Sequence, residues 1–492
     1  MGHSKSVLTS VTKRFLLLSL GLLIALGITV ALAYQYGIHL SNRLPLKSSL
    51  PSAADPEKDD SVIIFAPHCD DESIATGGVA HIAKKDGANV KIVVLTNGDG
   101  FWMAAGRELH EMRVKPKDYI RFATERQGDT EKAARTLGLA KDDVVFLGYP
   151  DRGLRAMWTE HWSPKQPFKS HYTKTVRSPY PNSYRNSALY CGRYLFEDIR
   201  SILAENNPTD IYVPHPSDDH PDHAVTYSFV MAALKALQAS ENSALSGARV
   251  HTYLVHRGDW PSPWGWNPKA SLRPPFAMSG IDTSWDVCPL TKETILIKKK
   301  AIKCHKSQMA IMSRFLLSFA RKNELFGTVK TPDIPQVATG VMRVDGWIGD
   351  WAGIDPCAKD PTGDKLFRGL EKPGDVKSMY IRADSVNIYL RADFVRRVSR
   401  RVTYTVSVRS FGETPNGENT RFWSVKIKPS KRYRLRDHRY AWRSRTLELR
   451  IPRSKLGKAD RIFVCVDTST MRLKIDSSGW RGFTLPENDD EL

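Results

Sequence analysis

Cysteine is scarce in this chain. Cys69, Cys191, Cys288, Cys304, Cys357 and Cys465 are scattered over 492 residues, and no two form a Cys-x-x-Cys pair. That excludes a Cys-type zinc finger and a disulfide-dense scaffold. One or two disulfides stay open in an oxidising compartment, with a pairing that spacing does not give. No internal repeat is present, which excludes a solenoid, and the composition is neither collagen-like nor disordered. Acids are the minority charge: 53 Asp and Glu stand against 73 Lys and Arg, a net charge of +20. Such a surplus suits nucleic acid, an anionic membrane or an acidic polymer. A chain this long exceeds what one core supports, so two or three domains are expected.

Long apolar runs are rare too, with one exception. Phe15 to Ala33 (FLLLSLGLLIALGITVALA) is unbroken and follows Lys5, Lys13 and Arg14. Its length approaches the roughly 20 residues of a spanning helix. The positive flank puts the N-terminus in the cytoplasm and the rest outside. Two readings stay open. Residues 1–41 are a cytoplasmic tail and retained signal anchor of a single-pass protein, or a signal peptide is removed near Ala33. The length of the run favours the anchor. Either exports the remainder, to a bacterial periplasm or cell surface, so nucleic acid is not an expected partner.

Residues 42–60 (NRLPLKSSLPSAADPEKDD, from Asn42) read as a linker. Ser61 begins an α/β region. Apolar runs at Ser61–Phe65, Val90–Thr96, Val144–Leu147, Asp210–Val213 and His251–His256 predict strands. Thr124–Leu139, Tyr190–Glu205 and one long Lys292–Asn323 segment carry helical patterns. Alternation of this kind implies a Rossmann-like, mostly parallel sheet with helices on both faces. Residues 155–188 are a long insert rich in Trp and Tyr. It either offers aromatic platforms to a ligand between Trp158 and Tyr184 or covers the sheet. After Thr331-Pro332-Asp333-Ile334-Pro335 the texture changes to short alternating strands between Ser378 and Val466, an all-β sandwich pattern. The expected units are therefore 61–335 and 336–492.

Two clusters carry the chemistry. His68-Cys69-Asp70-Asp71-Glu72 puts one imidazole and three carboxylates into five residues directly after a strand. Adjacent acids repel unless they share a cation or a proton, and strand C-termini are where open α/β sheets hold ligands. The second cluster, His215-Pro216-Ser217-Asp218-Asp219-His220-Pro221-Asp222-His223, has three His and three Asp in nine residues, again after a strand. Histidine with carboxylate suits zinc, and two or three protein ligands leave a position for water.

Taken together, His68-Cys69-Asp70-Asp71-Glu72 and His220-Pro221-Asp222-His223 resemble the zinc-dependent de-N-acetylases of the N-acetylglucosaminyl-phosphatidylinositol deacetylase (PIG-L, LmbE-like) family. Arg126 with Asp129, Tyr149-Pro150-Asp151, Ser307-Gln308 and Asn323-Glu324-Leu325-Phe326, the last read as part of a C-terminal helix, extend the resemblance over residues 61–327. The resemblance implies one Zn2+ held by His68, Asp71 and His223, with Asp70 as general base. His220, if protonated, would face the developing oxyanion or assist the leaving amine. Arg126 and Asp151 are candidate substrate-binding residues; a helix-surface ion pair and a strand-end cap are their plainer readings. The family usually has Pro where this chain has Cys69. The Cys fills that slot passively, or supplies a thiolate that closes the open position.

Val344-Asp345-Gly346-Trp347 through Trp351 resembles the opening of a family 9-type carbohydrate-binding module. Trp347 and Trp351 would then bind sugar or sit in the core. Asp355, Asp364 and Asp375 admit Ca2+ or serve as turns. Lys426–Arg445 interleaves cations with aromatics, suited to an anionic glycan or lipid head group, or to a solvated face. The expectation is an exported, membrane-anchored hydrolase that removes N-acetyl groups from N-acetylglucosamine-type sugars in a glycan, polysaccharide or glycolipid. The alternatives are a catalytically retired glycan-binding envelope protein and a zinc amidase or esterase acting on a non-sugar substrate.

Overall fold

The structure, a computed structural model, describes residues 18–27, 29, 50–53, 56–108, 114–239, 244–258, 260–363, 372–414, 417–429, 440–471 and 473–486. Seven strands form one sheet: β1 (Ser61–Ala66), β2 (Asn89–Thr96), β3 (Val144–Tyr149), β4 (Asp210–Pro214), β5 (Arg249–Tyr253), β6 (Thr283–Pro289) and β7 (Asn323–Val329). Their spatial order is β3-β2-β1-β4-β5-β7-β6. β1 to β5 run parallel, while β7 is antiparallel to both β5 and β6. β1 is flanked by β2 on one side and β4 on the other. The chain therefore reverses its direction of winding between β1 and β4, and the crevice beyond their C-terminal ends is the ligand position of such sheets. Both charged clusters follow these two strands.

Side chains alternate across the sheet, as the period of two requires. Val62 and Ile64 face the helices Asp71–Lys85, Pro116–Leu137 and Lys292–Cys304 through Val79, Ala133 and Ile302. Ile63 and Phe65 face Gly192–Asn206 and Pro221–Gln238 through Ile199 and Val230. Helix Pro116–Leu137 has Pro at its first turn and stops at Gly138, whose φ of +98° favours a residue without a Cβ.

The expected single helix over Lys292–Asn323 is not formed. Two helices, Lys292–Cys304 and Lys306–Leu317, meet at His305, whose ψ of 73° is not helical. Its ring reaches Ser73 Oγ (3.0 Å) and Glu72 (3.1 Å), contacts that a continuous helix would forgo. Asn323–Phe326, expected as helix, opens β7 instead. Glu324 is drawn into the sheet by Lys298 and by the backbone N–H groups of Gly78 and Val79. At Gly78 a Cβ would lie 2.6 Å from Leu290 and 2.9 Å from Glu324, so a larger residue would have to displace both side chains. The strand expected at His251–His256 is Arg249–Tyr253, which frees His256 from the sheet.

The last strand of the sheet ends at Val329, and Ile334 already packs into a second core. That core lies between two antiparallel sheets. One is β13 (Tyr440–Arg443), β14 (Thr446–Pro452), β10 (Asn387–Phe394), β9 (Val376–Ala383) and β8 (Ala358–Lys359). The other is β12 (Gly417–Ile427), β11 (Thr403–Thr414), β15 (Arg461–Thr470) and β16 (Leu473–Ser477), with β17 (Arg481–Thr484) paired to β15. Trp351 is buried, its indole N–H donating to Glu448 (2.9 Å), so it is a core residue. Trp347 is 57% exposed beneath the Arg443 guanidinium. Asp375 is buried and accepts the Gly363 N–H, whereas Asp364 and residues 430–439 of the basic run lie outside the described residues.

The sandwich is fused to the α/β unit. Trp158, from the Trp-rich insert, has no exposed surface and lies among Phe229, Phe411, Phe463 and Trp480 at centroid separations of 4.9 to 5.9 Å. That indole is a junction residue and offers no platform to solvent. All six cysteines are free thiols. Among the described residues no helix is long and apolar enough to cross a membrane. The run Phe15–Ala33 falls largely outside them, but residues 18–27 are helical and expose Leu18, Leu22 and Leu23.

Candidate metal centre

His68 stands just beyond β1, and Asp71 opens the helix that follows. His223 comes from the first turn of helix Pro221–Gln238, which Pro221 starts and His220 caps through Nδ1. Three donor atoms converge. His68 Nδ1 is 3.2 Å from Asp71 Oδ2 and 3.2 Å from His223 Nε2, and His223 Nε2 is 3.1 Å from Asp71 Oδ2. A tetrahedral zinc bound to nitrogen and oxygen at roughly 2.0–2.2 Å needs donors about 3.3 Å apart. The three separations fit that requirement, so the donor set suits the metal.

The far nitrogens of both rings face carboxylates. His68 Nε2 is 3.3 Å from Asp151 and 3.7 Å from Asp222, and His223 Nδ1 is 3.5 Å from Asp218. Metal-bound imidazoles characteristically turn their second N–H to such acceptors, which fixes ring and tautomer. Asp222 and Asp218 are themselves held by backbone N–H groups, of Arg152 and Leu154 for the first and of His220, Val255 and His256 for the second. Burial alone would lower the His68 pKa, yet hydrogen bonds to Asp151, Asp222 and Asp71 hold it well above 6.5. Against the same burial, Asp71 and Asp218 hold His223 up at about 9. The cluster is thus built to retain positive charge, as protons or as a divalent cation.

Asp70 adopts a φ of +143°, a conformation rare outside glycine. Glu72 stabilises it by accepting the Asp70 N–H (2.9 Å), while its other oxygen takes the Ser73 hydroxyl (2.9 Å) and faces His305. Burial pushes the Asp70 carboxyl up to about 6, with Arg126, 3.5 Å away, opposing that rise. Arg126 donates to the carbonyls of Gly98 (2.8 Å) and Cys69 (2.5 Å), and Asp151 accepts the Gly100 N–H (2.9 Å). Both are buried and turned to protein partners around the site. Asp129 accepts the Lys306 N–H at the start of helix Lys306–Leu317 (3.1 Å).

His220 closes one side, its ring 4.7 Å from that of His68. Burial, then the charges of His68, His223 and His256, hold its pKa well below 6.5. A pKa lowered in this way favours the neutral ring. Because Nδ1 accepts the Asp222 N–H (3.3 Å), the proton sits on Nε2. Cys69 is fully buried in the apolar core, burial pushes its thiol up to about 12, and it belongs to none of the side-chain clusters with metal-ligand spacing among the described residues. His215 is a latch: Nδ1 accepts the Ser217 N–H (3.0 Å) and Nε2 meets Thr283 (2.9 Å).

His256 was not singled out from sequence. Its ring lies 4.8 Å from His223 and 5.3 Å from His220, and with Asp71 and His223 it forms one of three clusters that have metal-ligand spacing among the described residues. All three lie in the α/β unit, and none includes an Asp of the sandwich proposed for calcium.

Residues 63–234 match the family model described as PIG-L, GlcNAc-PI de-N-acetylase. That span contains both clusters and less than half of the chain. No curated protein matches. Similar solved structures include the N,N'-diacetylchitobiose deacetylase of Pyrococcus horikoshii, at 19% identity over 54% of this chain and 82% of that one, with a TM-score of 0.35. A zinc-inhibited form of teicoplanin deacetylase is 16% identical over 54% and 97%, TM-score 0.35. The 4-carboxy-2-hydroxymuconate hydratase GalB of Pseudomonas putida is 15% identical over 53% and 82%, TM-score 0.32. A hydratase stands among deacetylases, and likeness at this level says nothing of reaction or substrate.

Proposed function

We propose that the chain is a zinc-dependent hydrolase that removes N-acetyl groups from N-acetylglucosamine-type sugars. The observation that carries this is the convergence of His68 Nδ1, Asp71 Oδ2 and His223 Nε2 within 3.1–3.2 Å, beside a carboxylate, Asp70, that none of them uses. The match of residues 63–234 to the de-N-acetylase family supports the same reading. Zinc bound there would polarise the acetamide carbonyl and lower the pKa of its water toward neutrality.

The protein's own groups do the rest. Asp70, poised near pH 6, accepts the proton of the attacking water as the new C–O bond forms. His220 Nε2–H donates to the oxygen that gains charge, as a neutral imidazole. When the C–N bond breaks, Asp70 returns its proton to the leaving amine, and acetate and a free amino sugar result. Asp151 and Asp222 hold the His68 ring, and Arg126 orients the Cys69–Asp70 peptide and steers the carboxylate.

The proposed setting is extracytoplasmic, with Phe15–Ala33 as anchor; Leu18, Leu22 and Leu23 on the helical stretch are exposed as a lipid-facing surface would be. Protease added to cells stripped of any outer membrane, with the cytoplasmic membrane intact, should then degrade the α/β unit. For the sandwich, the proposed ligand is the same glycan.

The test is acetate release from N-acetylglucosamine oligomers with stoichiometric zinc. Asp70→Asn should lower kcat by about 10²–10⁴ and chelation should abolish turnover. An Asp70→Asn variant as active as the native chain overturns the mechanism. Cleavage of acylated amino acids in preference to acetylated sugars overturns the substrate class.

A further inference from the structure

A row of aromatic rings leads away from the metal centre. The His223 ring is 4.8 Å from His256; His256 lies nearly parallel to Phe315, 6.1 Å away at 16°; and Phe315 meets the edge of Trp264 at 5.6 Å. Burial declines along this row. His223 has no exposed surface, His256 and Phe315 are half-buried, and Trp264 is 42% exposed. His220, itself half-buried, lies 5.3 Å from His256, so the exposed part of the row adjoins the candidate site.

That surface is rigidly built. Trp264 sits on the segment Pro261-Ser262-Pro263-Trp264-Gly265, in which two prolines restrict the backbone. Arg321, 3% exposed, donates to the carbonyls of Pro261 (3.3 Å) and Pro263 (3.1 Å), and the Gly265 N–H bonds Arg314 O (2.8 Å) on helix Lys306–Leu317. A large side chain fixed in this way loses little freedom when something stacks on it.

We infer that His256, Phe315 and Trp264 form an extended subsite for the sugar rings that flank the one being deacetylated, so that the substrate is an oligosaccharide or polysaccharide chain. This rests on the deacetylase reading. Hexose rings present flat C–H faces that match aromatic faces. A lipid tail would instead ask for a continuous apolar trough, whereas this row is built partly of imidazole and indole, which carry polar N–H groups.

The experiment uses the full chain, zinc-loaded, with N-acetylglucosamine oligomers of increasing length and an alkyl glycoside of N-acetylglucosamine. Acetate release and calorimetric binding are both recorded. The value of kcat/KM should rise with the number of sugar rings. Trp264→Ala should cut kcat/KM for long oligomers by about ten-fold through KM, and for the monosaccharide by much less; Trp264→Phe should restore most of the difference. Length-dependent binding that Trp264→Ala removes supports the subsite even where no acetate is released, an outcome that would overturn only the deacetylase reading. Rates and affinities independent of length, or a gain seen only with the alkyl glycoside, overturn the subsite.

Discussion

His68 Nδ1 and His223 Nε2, supplied by residues 155 positions apart in sequence, stand 3.2 Å from each other and both face Asp71 Oδ2. Crowding of this kind is costly unless protons or a cation are shared. Binding of zinc to the folded chain alone must then stabilise it, by about 2.7 kcal/mol at a free concentration one hundred times Kd. Thermal melts with added zinc should rise over melts in chelator, and His223→Ala should erase the difference. Equal midpoints with zinc and with chelator in the native chain would contradict a metal site here.

A second prediction concerns Lys298 and Glu324, which form an ion pair with no exposed surface on either side chain. Glu324 also receives the N–H groups of Gly78 and Val79 in the helix that begins at Asp71. Lys298→Met would leave a buried carboxylate unpaired, a loss of about 3–5 kcal/mol. The double variant with Glu324→Gln should recover part of it. Denaturant unfolding of the two variants measures this, and a Lys298→Met chain as stable as the native one would show that the pair is not needed.

These contacts mark where the sequence stops being informative. The run Ser61–Phe65 followed by His68-Cys69-Asp70-Asp71-Glu72 announced a strand and a site because both signals are local. The order β3-β2-β1-β4 then explains why the second cluster belongs to the same crevice. The break at His305 had no local cue: the apolar period runs through it, and the residues that bend the chain, Glu72 and Ser73, are more than 200 positions away. Asn323–Phe326 forms strand and not the expected helix because its strand character is imposed by pairing with β6. Asp151 and Asp218 were visible as acids, but their positions behind His68 and His223 are properties of the folded loops. Glu72, without a role in sequence, is what holds Asp70 at positive φ.

Asp210 gives a pH-dependent expectation. It is buried at the start of β4. Burial would raise its pKa, but hydrogen bonds from His251, Arg249 and Thr209 hold it at about 2, below the ordinary 3.8. Because the folded value is depressed, the unfolded chain takes up the proton first as pH falls. The stabilisation, about 2 kcal/mol from the linkage of such a shift, is fully present above pH 4 and disappears as the pH falls through 2. The stability gap between the native chain and Asp210→Asn should therefore be constant from pH 5 to neutrality and close between about pH 4 and pH 2. Melting curves over that range test it, and a gap that widens in acid would contradict the assignment.

Arg409 decides how the two units unfold. It projects from β11, is buried, and donates to the carbonyl oxygens of Trp158 and Thr159 in the α/β unit while its third nitrogen binds Thr420. Its guanidinium also lies 4.4 Å from the Trp162 ring centroid. Arg155 reaches the other way, to Asp467 of β15, and Arg481 of β17 donates to Ser217 in the loop that carries His220 (3.1 Å). Arg409→Met keeps much of the apolar stem but leaves two buried carbonyls unpaired, at about 1–3 kcal/mol each. That energy belongs to the contact between the units and to neither core. The native chain should show one calorimetric transition, and Arg409→Met should separate it into two, the sandwich retaining its own core of Val406, Leu449 and Val464. A single transition merely lowered in temperature would place Arg409 inside one cooperative core. Two transitions already present in the native chain would mean that the junction at Trp158 does not couple the units.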